Sequence, residues 1–324
     1  MSNQEQVSNK SSELSSIPSP ELNSINHIWY SWRETVEGYL FLLPFLFVYI
    51  TFLVYPLFRG IWISLHDWDL LIGNLGWKGI DNYVRMFTRD NTFWTSTGNT
   101  LEFVILSTPP LVILGLLLAI ALNRPLPVMG LFRTIFFSSY VLSISVLTLV
   151  WFMLLNPNRG ILAAFLQMFG IDPIPWLNDP NLAMPAIVIA SVWWTTGFNV
   201  VIFLAGLQDI PKSLYEAAEI DGANAIRSFF SITLPMLRRT LMLVIILQII
   251  ASFQIFGQVF LMTKGGPSGT TRVLVQHIYE RGFRGFELGY GSAMAVFLFG
   301  IMFAISLIQI FVGSQGDEVE AGMK

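Results

Sequence analysis

Six stretches of the chain, roughly 40–62, 101–122, 134–155, 184–206, 240–262 and 291–313, are almost wholly apolar. Each is about 20 residues long, the length that lets an α-helix cross the hydrocarbon core of a bilayer. All are rich in Leu, Ile, Val and Phe, and none alternates polar with apolar residues as a half-buried strand would. A segment facing lipid must satisfy its own backbone hydrogen bonds, so helices are expected here. Composition points the same way: 54% of the 324 residues are hydrophobic and 12% charged, against about 25% charged in ordinary soluble domains. A soluble fold would lack the polar surface to cover such a core. The expected class is an all-α membrane protein with six transmembrane helices.

The segments around the spans differ in character. Residues 1–36 are rich in Ser, Asn and Glu and read as a polar, disordered tail rather than a cleavable leader. Residues 37–315 form the expected membrane domain, and 316–324 a short polar tail. Pro44, Pro56 and Pro109 are expected to kink their helices or mark helix ends. The apolar run Ile161–Phe169 is too short to span and fits a helix lying at the interface. Trp and Tyr in loop 63–100 suit an interfacial belt. Prolines and glycines make loop 156–183 irregular, and Gly265-Gly266-Pro267 marks a turn in loop 263–290. Lys and Arg counts do not orient the chain: with the N-terminus inside, nine fall on the inner side and eight on the outer.

What the spans lack is informative. Arg59 and Glu102 sit near span ends, and no other ionisable residue stands near mid-span. A charge at the bilayer centre costs at least ~2.5–3.5 kcal/mol, so proteins that carry one generally use it, as proton- and sodium-coupled transporters do. An ion-coupled pump is therefore disfavoured and an external energy source implied. A phosphate-binding loop needs GxxxxGK[ST]; the nearest run, Lys264-Gly265-Gly266-Pro267-Ser268-Gly269-Thr270, misplaces its lysine and carries a proline. If ATP is used, another chain binds it, and this one is not expected to be an enzyme. A net charge of -3 gives no reason to expect a nucleic-acid partner. There is no cysteine, hence no thiol chemistry or thiolate metal site. His66, Asp67 and Asp69 read as a polar loop, and no metal is expected. Gly285-x-x-x-Gly289 is at most a weak close-packing motif.

The long loop 207–239 is the most specific feature. Pro211 and Ser213 can open a helix that Glu216, Ala217, Ala218 and Glu219 continue and Asp221-Gly222 stops. Ile226, Phe229, Phe230 and Ile232 then make an amphipathic stretch, which Pro235 breaks. A short polar-tipped helix held beyond the bilayer could pass force to a docked partner. This run, with Glu216-Ala217-Ala218, Asp221-Gly222-Ala223 and Ile232-Thr233-Leu234-Pro235 in order, resembles the EAA loop of binding-protein-dependent ABC importer permeases. The resemblance continues through Trp176-Leu177, Ala205-Gly206-Leu207-Gln208, the run SFQIFGQVFLMTKGGPSGT from Ser252, Ile278-Tyr279 and Gly289-Tyr290-Gly291-Ser292-Ala293. These stretches are similar to MalF- and UgpA-type carbohydrate permeases, the alginate-oligosaccharide importer among them.

The resemblance implies a type I ABC importer transmembrane-domain fold with a cytoplasmic coupling helix formed by Glu216, Ala217, Ala218, Asp221 and Gly222. It implies both termini in the cytoplasm of a bacterium whose inner membrane holds the chain. It further implies a second, MalG-like permease, an ATPase dimer that uses ATP and Mg, an extracytoplasmic solute-binding protein, and a sugar or oligosaccharide as cargo; no cofactor is expected in this chain. Sugars bind through hydrogen bonds and aromatic stacking. Thr195, Thr196 and Asn199 in the fourth span occupy the stretch that contacts sugar in MalF-like permeases, and Gln248, Ser252, Gln254 and Gln258 in the fifth are able to face the same cavity. The competing account of these polar residues is interhelical hydrogen bonding. Two rival functions remain at this point, a secondary ion-coupled transporter and a membrane-embedded glycan enzyme, and no set of catalytic acids supports the second.

Overall fold

The computed structural model describes residues 38–124 and 128–321, so the expected tail 1–36 lies outside them. The chain divides into two compact units, residues 1–60 and 61–324. In the first, the described residues belong to the apolar helix α1 (Gly38–Ser64) and are nearly all exposed. Pro44 and Pro56 lie inside this helix and end nothing. A π-helical turn at Ile50–Val54 directly precedes Pro56. Proline has no N–H to donate and its ring crowds the preceding turn, and a widened turn is one way for a helix to absorb both.

The second unit opens with a two-stranded antiparallel hairpin, β1 (His66–Asp69) and β2 (Gly73–Trp77), in the register His66↔Trp77 to Asp69↔Gly73 with a bulge between Asp67 and Trp68. The segment expected as a polar loop, 63–100, thus carries a short hairpin, a departure from the all-α class. Helix α2 (Asp81–Thr88) follows. Helix α3 (Asn91–Leu122) begins ten residues before the expected span, because Asp90 caps it by accepting a hydrogen bond from Phe93 N. Pro109 and Pro110 lie within α3 without ending it.

The third expected span is broken. α4 (Met129–Val141) and α5 (Ile144–Leu154) meet at 97°. Ser143 caps α5 through Val146 N, which ends one helix and starts the next. The short α6 (Ile161–Met168) stands where the interfacial helix was expected. The long α7 (Ala183–Gln208) is the most enclosed span, and α3, α4 and α10 all pack on it. Its Gly197 admits the α4 backbone: a Cβ there would collide with the Phe136 carbonyl.

After α8 (Lys212–Ile220) comes α9 (Ala225–Met236), which includes a π turn at Phe229–Thr233 and meets α10 (Arg238–Phe253) at 68°. The fifth span was expected unbroken to residue 262. Instead α10 stops at Phe253, and α11 (Gly257–Met262) starts after an irregular turn. α12 (Leu274–Tyr279) and α13 (Leu288–Ala321) complete the chain, α13 continuing through residues 316–321 expected as tail. Among the described residues, four helices are long and apolar enough to cross a membrane, or up to six if each bent pair is one span.

Three apolar clusters hold the second unit together. Phe103, Met184, Ile187, Ile255 and Val259 join the start of α7 to α3 and the α10–α11 turn. Leu122, Phe203, Leu207, Ile210 and Leu237 gather at the other end of α7. Met86, Phe93, Phe253, Leu274 and Met294 tie α2, α3 and α10 to α12 and α13. Because Phe103 lies with Met184 and Leu122 with Leu207, α3 and α7 run in the same direction.

Candidate functional site: a mid-span cavity and an exposed loop helix

Between α3, α4, α7 and α10 lies a cavity of about 320 Å³. One wall is aromatic: the Tyr140 ring stacks on Phe198 at 5.0 Å between centroids and lies 6.1 Å from Trp194. The break after α4 builds this wall. Ending a helix strands carbonyl groups, and the indole N–H of Trp194 donates to Leu142 O at 3.2 Å, fixing the ring while satisfying the broken backbone. The opposite wall comes from α10 and its interrupted end, which contribute Gln248, Ser252, Gln254 and Gln258. Irregular backbone at membrane depth is tolerated where protein buries it or where it lines a cavity; the turn 254–256 does both, with Ile255 buried in the apolar cluster and Gln254 on the cavity wall, its Nε2 donating to Met302 Sδ at 3.7 Å.

Of the seven polar residues picked out in the spans, five line this cavity: Thr195, Gln248, Ser252, Gln254 and Gln258. Ser252 Oγ also lies 3.2 Å from Ser107 Oγ on α3. Thr196 does not line it; its hydroxyl donates to Val192 O, and it borders an apolar groove of about 910 Å³ on the other side of α7. Asn199 is buried between helices, its Nδ2 donating to Leu111 O and to Gln248 Oε1, both at 3.2 Å. It anchors α3 and holds the Gln248 side chain in place. Sequence reasoning missed Tyr140, Ser191, Trp194 and Phe198. Aromatic residues in an apolar span carry no signal distinguishing lining from lipid-facing positions, and Tyr140 arrives only through the bend.

The loop helix α8 is built by local rules. Its C-terminus is a Schellman motif: Gly222 N donates to Glu219 O and Ala223 N to Ala218 O, with Gly222 at φ +76°. The Asn224 side chain caps the next helix through Arg227 N. Tyr215 faces inward, its hydroxyl 2.9 Å from Thr233 Oγ1, and packs on the cluster that holds the end of α7. Glu216, Ala217, Asp221 and Gly222 are exposed and Ala218 half-buried. Ile220, Ile226 and Phe230 are also exposed, at 87%, 70% and 62%, an unusual apolar set for a hydrophilic loop.

A charged knot lies near the start of α3. Asp90 Oδ2 accepts from His277 Nε2 at 2.9 Å and from the Tyr290 hydroxyl at 2.7 Å. Arg85 stacks over the Tyr290 ring and forms a two-pronged pair with Glu287. Burial pushes the Asp90 carboxyl up, but hydrogen bonds from Tyr290, His277 and Phe93 N outweigh it and hold the group down at about 2. Burial lowers the His277 pKa despite Asp90, so the ring is neutral and donates its Nε2–H. No local pattern announces this knot, which joins residues nearly 200 positions apart. In the hairpin, His66 Nδ1 bonds Trp62 O, Asp67 pairs with Lys78, and Asp69 accepts from Leu71 N and Ile72 N. No group of three possible metal ligands occurs among the described residues.

Residues 99–314 match the family described as the binding-protein-dependent transport system inner membrane component. The trehalose/maltose transport system permease protein MalF of Thermococcus litoralis is 36% identical over 285 residues, 87% of this chain and 95% of that protein. The sulfoquinovosyl glycerol transport system permease protein SmoG of Agrobacterium fabrum is 33% identical over 87% of this chain and 92% of its own length. A chain from the crystal structure of a bacterial ABC transporter involved in import of the acidic polysaccharide alginate superposes with a TM-score of 0.78 at 23% identity, covering 89% of this chain and 99% of that one. The fold is therefore that of an ABC transporter permease, and the chain belongs to the binding-protein-dependent transport system inner membrane components.

Proposed function

We propose that this chain is the permease subunit of a binding-protein-dependent ABC importer that moves a sugar or oligosaccharide inward across a bacterial cytoplasmic membrane. The observation that carries the reading is the mid-span cavity, where an aromatic wall faces neutral amides and hydroxyls. That is the chemistry saccharides require: C–H faces stack on rings while hydroxyls both donate and accept hydrogen bonds. The names of the related permeases, several of which denote sugar transport, support it.

Each bent pair then counts as one span, giving six, with both termini cytoplasmic. α8 is the coupling helix, and Glu216, Ala217, Ala218, Asp221 and Gly222 seat it in an ATPase subunit. A second, MalG-like permease completes the pathway and a solute-binding protein loads it from outside. ATP and Mg, bound by the ATPase pair, supply the energy. Their part is to favour one of two pathway conformations by differential binding, while this chain offers a capped helix rigid enough to follow its socket.

Affinity purification of the tagged chain from its native membrane tests the proposal. The expected result is stoichiometric recovery of a second permease and an ATPase, with sugar uptake after reconstitution that requires ATP and the binding protein. A stable single chain that transports alone would refute it.

A further inference from the structure

Among the described residues, none that lines the mid-span cavity is an Asp, Glu, His, Lys or Arg. Nearby cations are occupied or distant. Arg133 on α4 donates its guanidinium to Leu122 O, away from the cavity. Arg238 and Arg239 stand at the start of α10, and Gln248 follows about 13 Å further along the helix axis.

Beyond Phe103, toward the start of α3, lies a second, polar cavity of about 330 Å³, lined by Asn99, Glu102, Asn181 and Thr270 among others. Among the described residues it too lacks a lining cation, and the formal charge on its wall is the Glu102 carboxylate. Arg272, on the same loop, is paired with Glu280 at 3.2 Å. An anion passing through both spaces would leave water, find beside Gly269 only an Arg272 guanidinium already paired with Glu280, and pass the like charge of Glu102, which is costly in a low-dielectric site.

The mid-span cavity is built for neutral hydrogen bonding instead. Ser191 Oγ is buried on its wall without a hydrogen-bond partner. Gln248 spends only its oxygen on Asn199, so its amide nitrogen remains to donate. Glutamine amides and serine hydroxyls complement hydroxyls that both give and take a proton.

We infer that this chain's pathway selects uncharged saccharides and rejects those bearing carboxylate, sulfonate or phosphate groups, with Gln248, Gln254 and Ser191 binding hydroxyls against the Tyr140–Trp194–Phe198 wall. The inference rests on the sugar-importer reading and narrows it. It separates this chain from relatives and fold neighbours whose names specify acidic cargo.

The test is equilibrium binding to the intact transporter, purified with its native partners and without binding protein. The probes are labelled neutral di- and trisaccharides, each matched with a uronate-bearing counterpart of the same length. At least one neutral probe should saturate, with its uronate counterpart bound at least ten-fold more weakly. Gln254, exposed and on the cavity wall, allows a charge swap without burying the new group, and Gln254→Arg should narrow that ratio at least five-fold. Uronates bound as tightly as their neutral counterparts by the unaltered transporter would overturn the charge selection and leave the sugar reading standing. If no saccharide bound while the complex still coupled ATP hydrolysis to uptake of another solute, both would fall.

Discussion

Asp90 shows how one side chain can organise a region. It caps α3, holds α12 through His277 and fixes the start of α13 through Tyr290. Both acidic-limb shifts have the same sign. His277 resists protonation when folded but gains a proton at about 6.5 when unfolded, so its contribution is complete above that pH and is lost as pH falls below it. Asp90, held at about 2, adds a further loss, between the ordinary carboxylate value of about 3.9 and that limit. The thermal midpoint of the purified transporter should therefore fall between pH 7 and pH 5. His277→Gln, which keeps a donor without a titratable ring, should flatten that slope; an unchanged slope would refute the assignment. Asp90→Ala should cost about 1–3 kcal/mol for each buried donor, His277 and Tyr290, that it leaves without its acceptor. The spans' polar residues could be read from sequence, since amides among leucines stand out. The roles of Thr196 and Asn199 could not, because helix rotation decides whether a polar group meets a cavity or a neighbouring helix.

At the scale of the element, the loop helix was the most legible part. Helix propensity and a Gly at the C′ position are local properties, and α8 with its Schellman motif follows from them. Gly222→Pro demands φ near −65° where the backbone sits at +76°. On the coupling reading, it should lower sugar uptake at least ten-fold in reconstituted vesicles while membrane insertion persists. Glu216→Lys should do so by reducing ATPase recovery on purification. Normal uptake by both variants would refute the coupling role. The breaks after Val141 and Phe253 were not legible: a Ser inside an apolar run can continue a helix as well as cap one, and at the first break it is contact with α7, through Trp194 to Leu142 O, that accompanies the Ser143 cap. Gly197 lies at the closest approach of α4 and α7, where the Phe136 backbone cannot retreat. Gly197→Leu should destabilise by about 3 kcal/mol, the upper end of overpacking costs. Gly98→Ala on α3 meets nothing within 4 Å and serves as the tolerated control; equal melting temperatures for the two would contradict this packing.

Across the whole molecule, the distribution of charge separates two modes of transport. Among the described residues, the two cavities are lined by one carboxylate, Glu102, and by neither His66 nor His277. A proton- or sodium-driven carrier commonly needs titratable or ion-ligating groups within its spans. Uptake by the reconstituted complex should therefore survive ionophores that abolish proton and sodium gradients, and stop when ATP is withheld. Loss of uptake on gradient collapse, with ATP present, would favour the secondary transporter.

Burial in lipid and local helix chemistry are decided one segment at a time. The amino-acid sequence alone therefore established a membrane protein of apolar helices, with an exposed, capped helix between two of them. Which residues share a cavity depends on how helices rotate and where they bend, and those are settled by contacts such as Gly197 against Phe136 and Trp194 against the Leu142 carbonyl. Only the tertiary structure could bring Tyr140 and Trp194 opposite Gln248, or Asp90 to His277, because those energies arise between segments far apart along the chain.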